Sequence, residues 1–338
     1  MVAEKISYYN SNVTSIHLFI CIFVMLKQVM KGPLFYAKIL LFGEYGIIKD
    51  SKGLAIPFNA YRGALKTPTV PATEVAIKSN ENLERLYHYL VQLDTDLVAF
   101  NFAALKSDID AGMYFDSSIP QGYGVGSSGA LVASIYDQYA ADKITVLENL
   151  TRDKLLKLKQ IFALMESFFH GKSSGLDPLN SYLSLPILIN SKTHIEPAGI
   201  PSQKQGKGAV FLLDSEQVGE TAPMVNIFMN KMKNDGFRKM ISEEFATTTD
   251  ACIDDFLGGN VKSLFGNVKS LSKLVLKNFK PMIPTAFHQV WEQGLLTNDY
   301  YLKLCGSGGG GYILGFTEDY EKAQKSLEKY KLELVYRF

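Results

Sequence analysis

Residues 119–130, IPQGYGVGSSGA, place four glycines and two serines directly before Leu131-Val132-Ala133-Ser134-Ile135, an apolar helix opening. A chain built this way has to set a bare backbone turn against the N-terminus of a buried helix. Glycine lets backbone N–H groups approach an anion without a Cβ in the way, and the helix start adds unpaired donors and a partial positive charge. Gly122, Gly124, Val125, Gly126, Ser127 and Ser128 are therefore candidate polyphosphate-binding residues. Serine hydroxyls placed there can donate to phosphate or ligate a magnesium ion. A Gly-Ser turn that only caps a buried helix is the plainer reading of the same residues.

Two better-known phosphate motifs fit less well. Gly124, Gly126 and Gly129 satisfy G-x-G-x-x-G, and Glu148 stands about where a ribose-binding acid belongs, which is the pattern of an NAD(P)-binding oxidoreductase. That fingerprint wants its first glycine directly after a strand, whereas here the strand-like run ends near Phe115 or Asp116 and residues 117–123 intervene. Gly171-Lys172-Ser173 fails as the end of GxxxxGK[ST], because Glu166 occupies the position of the leading glycine.

Two further segments carry charge where charge is costly. Residues 36–45, YAKILLFGEY, place Lys38 inside an apolar strand, where it either alternates out to solvent or needs an anionic partner. Residues 165–178, MESFFHGKSSGLDP, read as a helix end, a glycine-containing loop and then Asp177 before Pro178. Asp-Pro is also what an ordinary helix N-cap looks like. Glu166 has Phe162 four residues before it and Phe169 three after, so it borders the buried stripe. A carboxylate so placed is satisfied by a metal, by a cation or by a nearby side chain.

The rest of the chain is of mixed α and β type. Apolar, aromatic-rich strands are expected over residues 34–42 and 54–61, and amphipathic helices around Leu83, Leu86, Leu90 and Leu93 and around Leu155, Leu158, Phe162, Met165 and Phe169. The tail reads strand (301–305), glycine-rich loop, strand (312–316), helix (318–330) and strand (332–336), a compact α+β unit. A length of 338 residues with 47% hydrophobic content suits two domains. Lys plus Arg number 35 against 34 Asp plus Glu, with no basic run, so nothing points to a nucleic-acid partner. Cys21, Cys252 and Cys305 are far apart and lack CxxC spacing, which fits a reducing cytoplasm. The apolar run 16–26 (IHLFICIFVML) is too short to span a bilayer and has no small-residue cleavage site after it. No membrane partner is expected.

Taken in order, AKILLFGEY, PQGYGVGSSGA and the turn at residues 304–311 (LCGSGGGG) resemble the three motifs of the GHMP family of small-molecule kinases, and the resemblance covers nearly everything from Leu34 onward. It implies an α+β, two-domain fold, with a ribosomal-protein-S5-like N-terminal domain over 30–200, a ferredoxin-like C-terminal domain over 201–338, and residues 1–29 as an extension outside the fold. It implies ATP and Mg²⁺ as cofactors and a small-molecule substrate, and it is compatible with a homodimer. Carried over residue by residue, it implies Asp177 as the catalytic carboxylate, Lys38 beside it, Ser128 and Glu166 on Mg²⁺, and Tyr45, Gly308 and Gly309 near the substrate. Lys38 and the E-x10-D spacing of Glu166 and Asp177 look most like the mevalonate kinase branch. Galactokinase and homoserine kinase patterns fit worse. Tyr45 stands where that branch usually carries histidine, Gly129 where it carries alanine and Ser173 where it carries proline. The GEY and YGVGSSG strings also resemble the bacterial phosphomevalonate kinases. The diphosphomevalonate decarboxylase branch and a non-enzymatic sensor on the same fold are the remaining readings, set back by Lys38 and Glu166 and by every catalytic position being filled.

A chain that starts at Met30 is expected to fold and act as the full-length protein does, since the first core strand begins only near Leu34. Loss of soluble protein on removing residues 1–29 would place the run 16–26 in the core.

Overall fold

The computed structural model describes residues 33–49, 51–68, 72–145 and 150–338. The expectations for residues 1–29, with Cys21 and the apolar run, and for Met30 and Glu148 fall outside these residues.

The first sheet has five strands: β1 (Phe35–Phe42), β2 (Gly53–Lys66), β3 (Tyr114–Ser117), β4 (Ile187–Ser191) and β5 (His194–Pro197). Its order is β1-β2-β4-β5, with β3 also paired to β2, and every pairing is antiparallel. β2 runs further than its apolar pattern suggested, because it changes partners along its length. Gly53–Ala55 face Ile189–Ile187 of β4, and Gly63–Lys66 face Ser117–Tyr114 of β3. Ladder bonds thus carry the strand through Arg62 and Gly63, where the sequence alone reads as a turn.

Helices α1 (Glu74–Val91), α2 (Phe102–Asp110), α3 (Ser127–Tyr139), α4 (Arg152–His170) and α5 (Leu176–Leu183) belong with this sheet. Leu83, Leu86 and Leu90 of α1 and Leu155, Leu158, Phe162 and Met165 of α4 are buried, which is the stripe that 3.6-residue spacing requires. Thr73 and Thr151 cap the two helices by accepting from the N–H groups of Ala76 and Lys154. α3 is buried along most of its length and packs against β1, β2, α4 and α5.

The second sheet has four antiparallel strands in the order β7-β8-β6-β9, formed by β6 (Ala209–Asp214), β7 (Tyr301–Leu304), β8 (Tyr312–Thr317) and β9 (Leu332–Arg337). Between β6 and β7 the chain runs through α6 (Thr221–Lys231), α7 (Asp235–Met240), a single wide turn (Ile241–Phe245), α8 (Ala246–Gly258), α9 (Val261–Asn278) and α10 (His288–Thr297). A short helix, α11 (Tyr320–Ser326), precedes β9. It is shorter than its sequence pattern, starting only where Asp319 accepts from Lys322 N–H.

The two sheets share one core. Phe42 at the end of β1 stacks on Phe316 of β8 with ring centroids 5.4 Å apart, and meets Phe256 of α8 edge-on at 6.4 Å. Beside these rings lies an ion pair that the sequence pattern did not reveal. Lys303 of β7 reaches Glu44, just past β1, at 2.5 Å, with the two side chains 4% and 6% exposed. The Lys303 ammonium also donates to the carbonyl of Leu304 at 2.8 Å. Burial pushes the Glu44 carboxyl up and Lys303 opposes that rise.

Removing one partner of such a pair strands a charge in the core. Lys303→Met is expected to lower stability by about 3–5 kcal/mol, and the double variant Glu44→Gln/Lys303→Met to recover most of that loss. Denaturant titration of the three proteins checks both expectations.

Candidate active site

Lys38 sits in the middle of β1 with its side chain 5% exposed, and its ammonium lies 2.8 Å from Asp177 Oδ1. The backbone brings the pair together from both sides. Lys38 N–H donates to the carbonyl of Val125 at 3.0 Å, which fastens β1 to the first glycine loop. Asp177 lies in the first turn of α5, one residue after its first residue Leu176, and Gly175 in the left-handed region is the helix cap. Asp177 is thus not the N-cap that Asp-Pro suggests. It is delivered to β1 by the close packing of α3 on α5. A Cβ on Gly129 of α3 would stand 2.7 Å from the Asp177 carbonyl carbon and 2.8 Å from Pro178 N, so only glycine allows the approach. Burial alone would depress the Lys38 ammonium, but the Asp177 carboxylate outweighs it and holds the group above the ordinary lysine value.

Glu166, on α4, is buried and accepts two hydroxyl bonds. Ser128 Oγ donates to Oε1 at 3.0 Å and Ser173 Oγ to Oε2 at 2.5 Å. Burial is the main cause of a carboxyl pKa pushed up to about 7; the Asp177 charge adds to the rise, while the two serine bonds and Lys38 oppose it. Ser127 and Ser128 open α3 behind Gly126, which is in the left-handed region and offers no side-chain cap. The first-turn N–H groups of α3 therefore stand at the point where Lys38, Asp177 and Glu166 converge.

The second glycine loop, residues 305–311, lies against the first. A Cβ on Gly124 would be 2.5 Å from the Cys305 carbonyl, and one on Gly311 would be 2.5 Å from Tyr123 Cα. Gly308 and Gly309 both have φ near +78°, at 78° and 79°, and the Gly309 N–H is bonded to the Met282 carbonyl at 2.7 Å. Tyr45 is buried, and its hydroxyl donates to the Ser307 carbonyl at 2.7 Å. Burial pushes its phenol well up, so it remains a donor. Gly122 and Tyr123 are joined to the loop after β6 and to β8 by the Gly219 N–H bond to Gly122 at 2.9 Å and the Tyr312 N–H bond to Tyr123 at 3.3 Å. Sequence reasoning missed Glu44, Lys303 and Cys305. Their signal is a lysine in an apolar strand just before the second glycine run, the same signal that singled out Lys38.

The arrangement defines a class of protein. A buried cation and carboxylate at a glycine loop and helix start suit the handling of a phosphorylated ligand next to a polar acceptor. Residues 93–184 match the family model of the GHMP kinases N terminal domain. Among solved structures, the chain is similar to L. major mevalonate kinase in complex with R-mevalonate, at 16% identity and TM-score 0.59, covering 89% of this chain and 91% of that one. It is similar to Streptococcus pneumoniae phosphomevalonate kinase in complex with phosphomevalonate and AMPPNP, at 13% identity and TM-score 0.56, with 90% and 100% covered. It is also similar to Lactococcus lactis galactokinase complexed with galactose, at 11% identity and TM-score 0.56, with 90% and 92% covered. No match was found among curated protein sequences. The match over residues 93–184 and the likeness of the whole chain to these structures show the GHMP kinase fold. Among the described residues no helix is long and apolar enough to cross a membrane.

The state of Glu166 has a measurable consequence. Its ordinary carboxyl value is 4.5 and its folded value about 7, so between these pH values the folded protein keeps a proton that the unfolded chain has lost. Stability therefore falls as pH rises through that window, by on the order of a few kcal/mol. Glu166→Gln is expected to flatten the slope of unfolding free energy between pH 4.5 and 7, as urea titrations across the range would show.

Proposed function

We propose that this protein is an ATP-dependent small-molecule kinase that transfers the γ-phosphoryl group of ATP to a hydroxyl, with mevalonate as the acceptor. The observation that carries the reading is the Lys38–Asp177 pair at 2.8 Å, set beside the glycine loop and the start of α3. In this reading the polyphosphate lies over residues 122–128, where N–H groups and the helix dipole offset its charge. The acceptor hydroxyl approaches Asp177, which orients it and takes its proton as the oxygen bonds to the γ-phosphorus and the bond to the ADP oxygen breaks. Lys38 orients the Asp177 carboxylate and offsets charge developing on the transferred group.

Glu166 and Ser128 supply only oxygen donors, and a buried carboxylate whose pKa is raised by desolvation suits a hard cation such as Mg²⁺. These two side chains would hold the ion, which would neutralise phosphate charge. Among the described residues no group of three or more His, Cys, Asp or Glu could hold a metal by itself. That is in keeping with Mg²⁺, which takes one or two carboxylates and leaves its other positions to phosphates and water. Mevalonate as acceptor is supported by the Lys38, Glu166 and Asp177 pattern and by the likeness to the L. major enzyme. The likeness to the pneumococcal enzyme makes phosphomevalonate the competitor.

An ADP-release assay across mevalonate, phosphomevalonate, galactose and homoserine, with and without Mg²⁺, tests the proposal. Turnover with mevalonate is expected. Turnover with phosphomevalonate alone would move the acceptor within the fold, and NAD(P)-dependent oxidation without ADP release would overturn the kinase reading. Within the assay, Asp177→Asn is expected to lower turnover by roughly 10²- to 10⁴-fold, with ATP binding retained.

A further inference from the structure

Tyr45 holds a backbone conformation that a tyrosine seldom adopts, with φ at 61°. A bulky residue stays in the left-handed region only where its surroundings over-determine it, and such strain is a pointer to function. What the conformation achieves can be read from the neighbours. In an extended strand, consecutive side chains point to opposite faces. Past β1 the chain turns tightly, with Gly46 N–H bonded to the Glu44 carbonyl at 2.7 Å and Ile47 N–H to Gly43 at 3.1 Å. The consecutive side chains of Glu44 and Tyr45 can then both reach the same target. Glu44 takes the ammonium of Lys303, just before the second glycine loop, and the Tyr45 hydroxyl takes the carbonyl of Ser307 within it.

The loop needs such holding. Five of the six residues 306–311 are glycine, so its backbone loses more entropy on ordering than any other stretch of this length in the chain. Its other ties among the described residues include the Gly309 N–H bond to Met282 and the Gly311 N–H bond to Gln217 at 2.5 Å, both further along the loop. Tyr45 is fixed from behind by rings, Phe228 at 4.6 Å and Phe279 at 5.8 Å between centroids. Its hydroxyl therefore sits at the end of a rigid arm.

We infer that Tyr45 is a positioning residue, which with Glu44 clamps the second glycine loop so that Cys305 and Gly306 hold the first glycine loop in its phosphate-binding form. This rests on the kinase reading for its ligand, but the clamp itself does not. Its action is on nucleotide affinity, through the contact of Gly124 with Cys305, and not on the chemical step at Asp177. Tyr45 thus acts on the site through Ser307.

The test is Tyr45→Phe in the full-length chain, which keeps the ring and removes the one bond. Amide hydrogen exchange over residues 305–311 should accelerate, while exchange in β7, β8 and α3 stays as in the parent. The KM for ATP should rise about 3- to 10-fold, as for loss of one neutral hydrogen bond, with kcat at saturating ATP within about 2-fold. Ser307→Ala, which leaves the accepting carbonyl in place and removes only the exposed 3.5 Å bond from the Ser307 hydroxyl to Thr221, should alter exchange in the loop less than Tyr45→Phe does. Unchanged loop exchange in Tyr45→Phe would overturn the clamp, and faster exchange with unchanged ATP affinity, measured by calorimetry, would overturn its link to the nucleotide. If the parent protein binds no ATP while the variant's loop still loosens, the clamp stands and the kinase reading fails.

Discussion

The buried ammonium of Lys38 is the constraint around which the rest of the molecule is arranged. An unpaired ammonium in the middle of an apolar strand would lose its proton or move the strand. Asp177 prevents both, and every element that brings the carboxylate within 2.8 Å is fixed by that need. β1 must lie against the first glycine loop, α5 must start where α4 and its loop leave it, and α3 must let α5 approach with nothing larger than glycine at position 129. A single ion pair thus ties a strand, a loop and three helices to one point.

Around that pair the site is held by charges and hydroxyls graded by burial. Glu166 is buried deeply enough to resist ionisation, and Ser128 and Ser173 each spend a hydroxyl on it. Asp177 is more open and directly paired with the lysine. The two carboxylates of the site thus sit in different surroundings, one shielded and bonded to hydroxyls, the other paired with an ammonium. A second buried pair, Glu44 with Lys303, joins the two sheets a short distance away, and the Cys305 thiol between the pairs is pushed up by burial to about 12, so it stays neutral. Phe42 against Phe316 supplies the apolar part of the same junction. The two glycine loops meet at this junction and owe their relative position to it.

Much of this was written in the sequence. The 3.6-residue stripes of α1 and α4, the apolar runs of β1, β7 and β8, the glycine run before α3, and the misfit of Lys38 and Glu166 with their apolar neighbours are all local patterns. Local patterns survive any fold, because they reflect which side chains must leave water. The reach of β2 through Arg62 and Gly63 was not legible, since it depends on β3 and β4 arriving from distant parts of the chain to complete the ladder. The late start of α11 likewise depends on where Asp319 caps it.

The sequence by itself determined that a glycine loop would precede a buried helix and that Lys38 would either face solvent or need an acid, and only the family resemblance pointed to Asp177 and Glu166. The family resemblance had already set Lys38 beside Asp177, and tertiary structure decided that Glu166 bonds to Ser128 and Ser173. It also decided that Lys303 pairs with Glu44 across 259 residues, and that Tyr45 turns its hydroxyl to the Ser307 carbonyl. The reason is physical. A residue's need for a partner follows from its own chemistry and its immediate neighbours, but the identity of the partner is a matter of distance, and distances between remote residues exist only once the sheets and helices have packed.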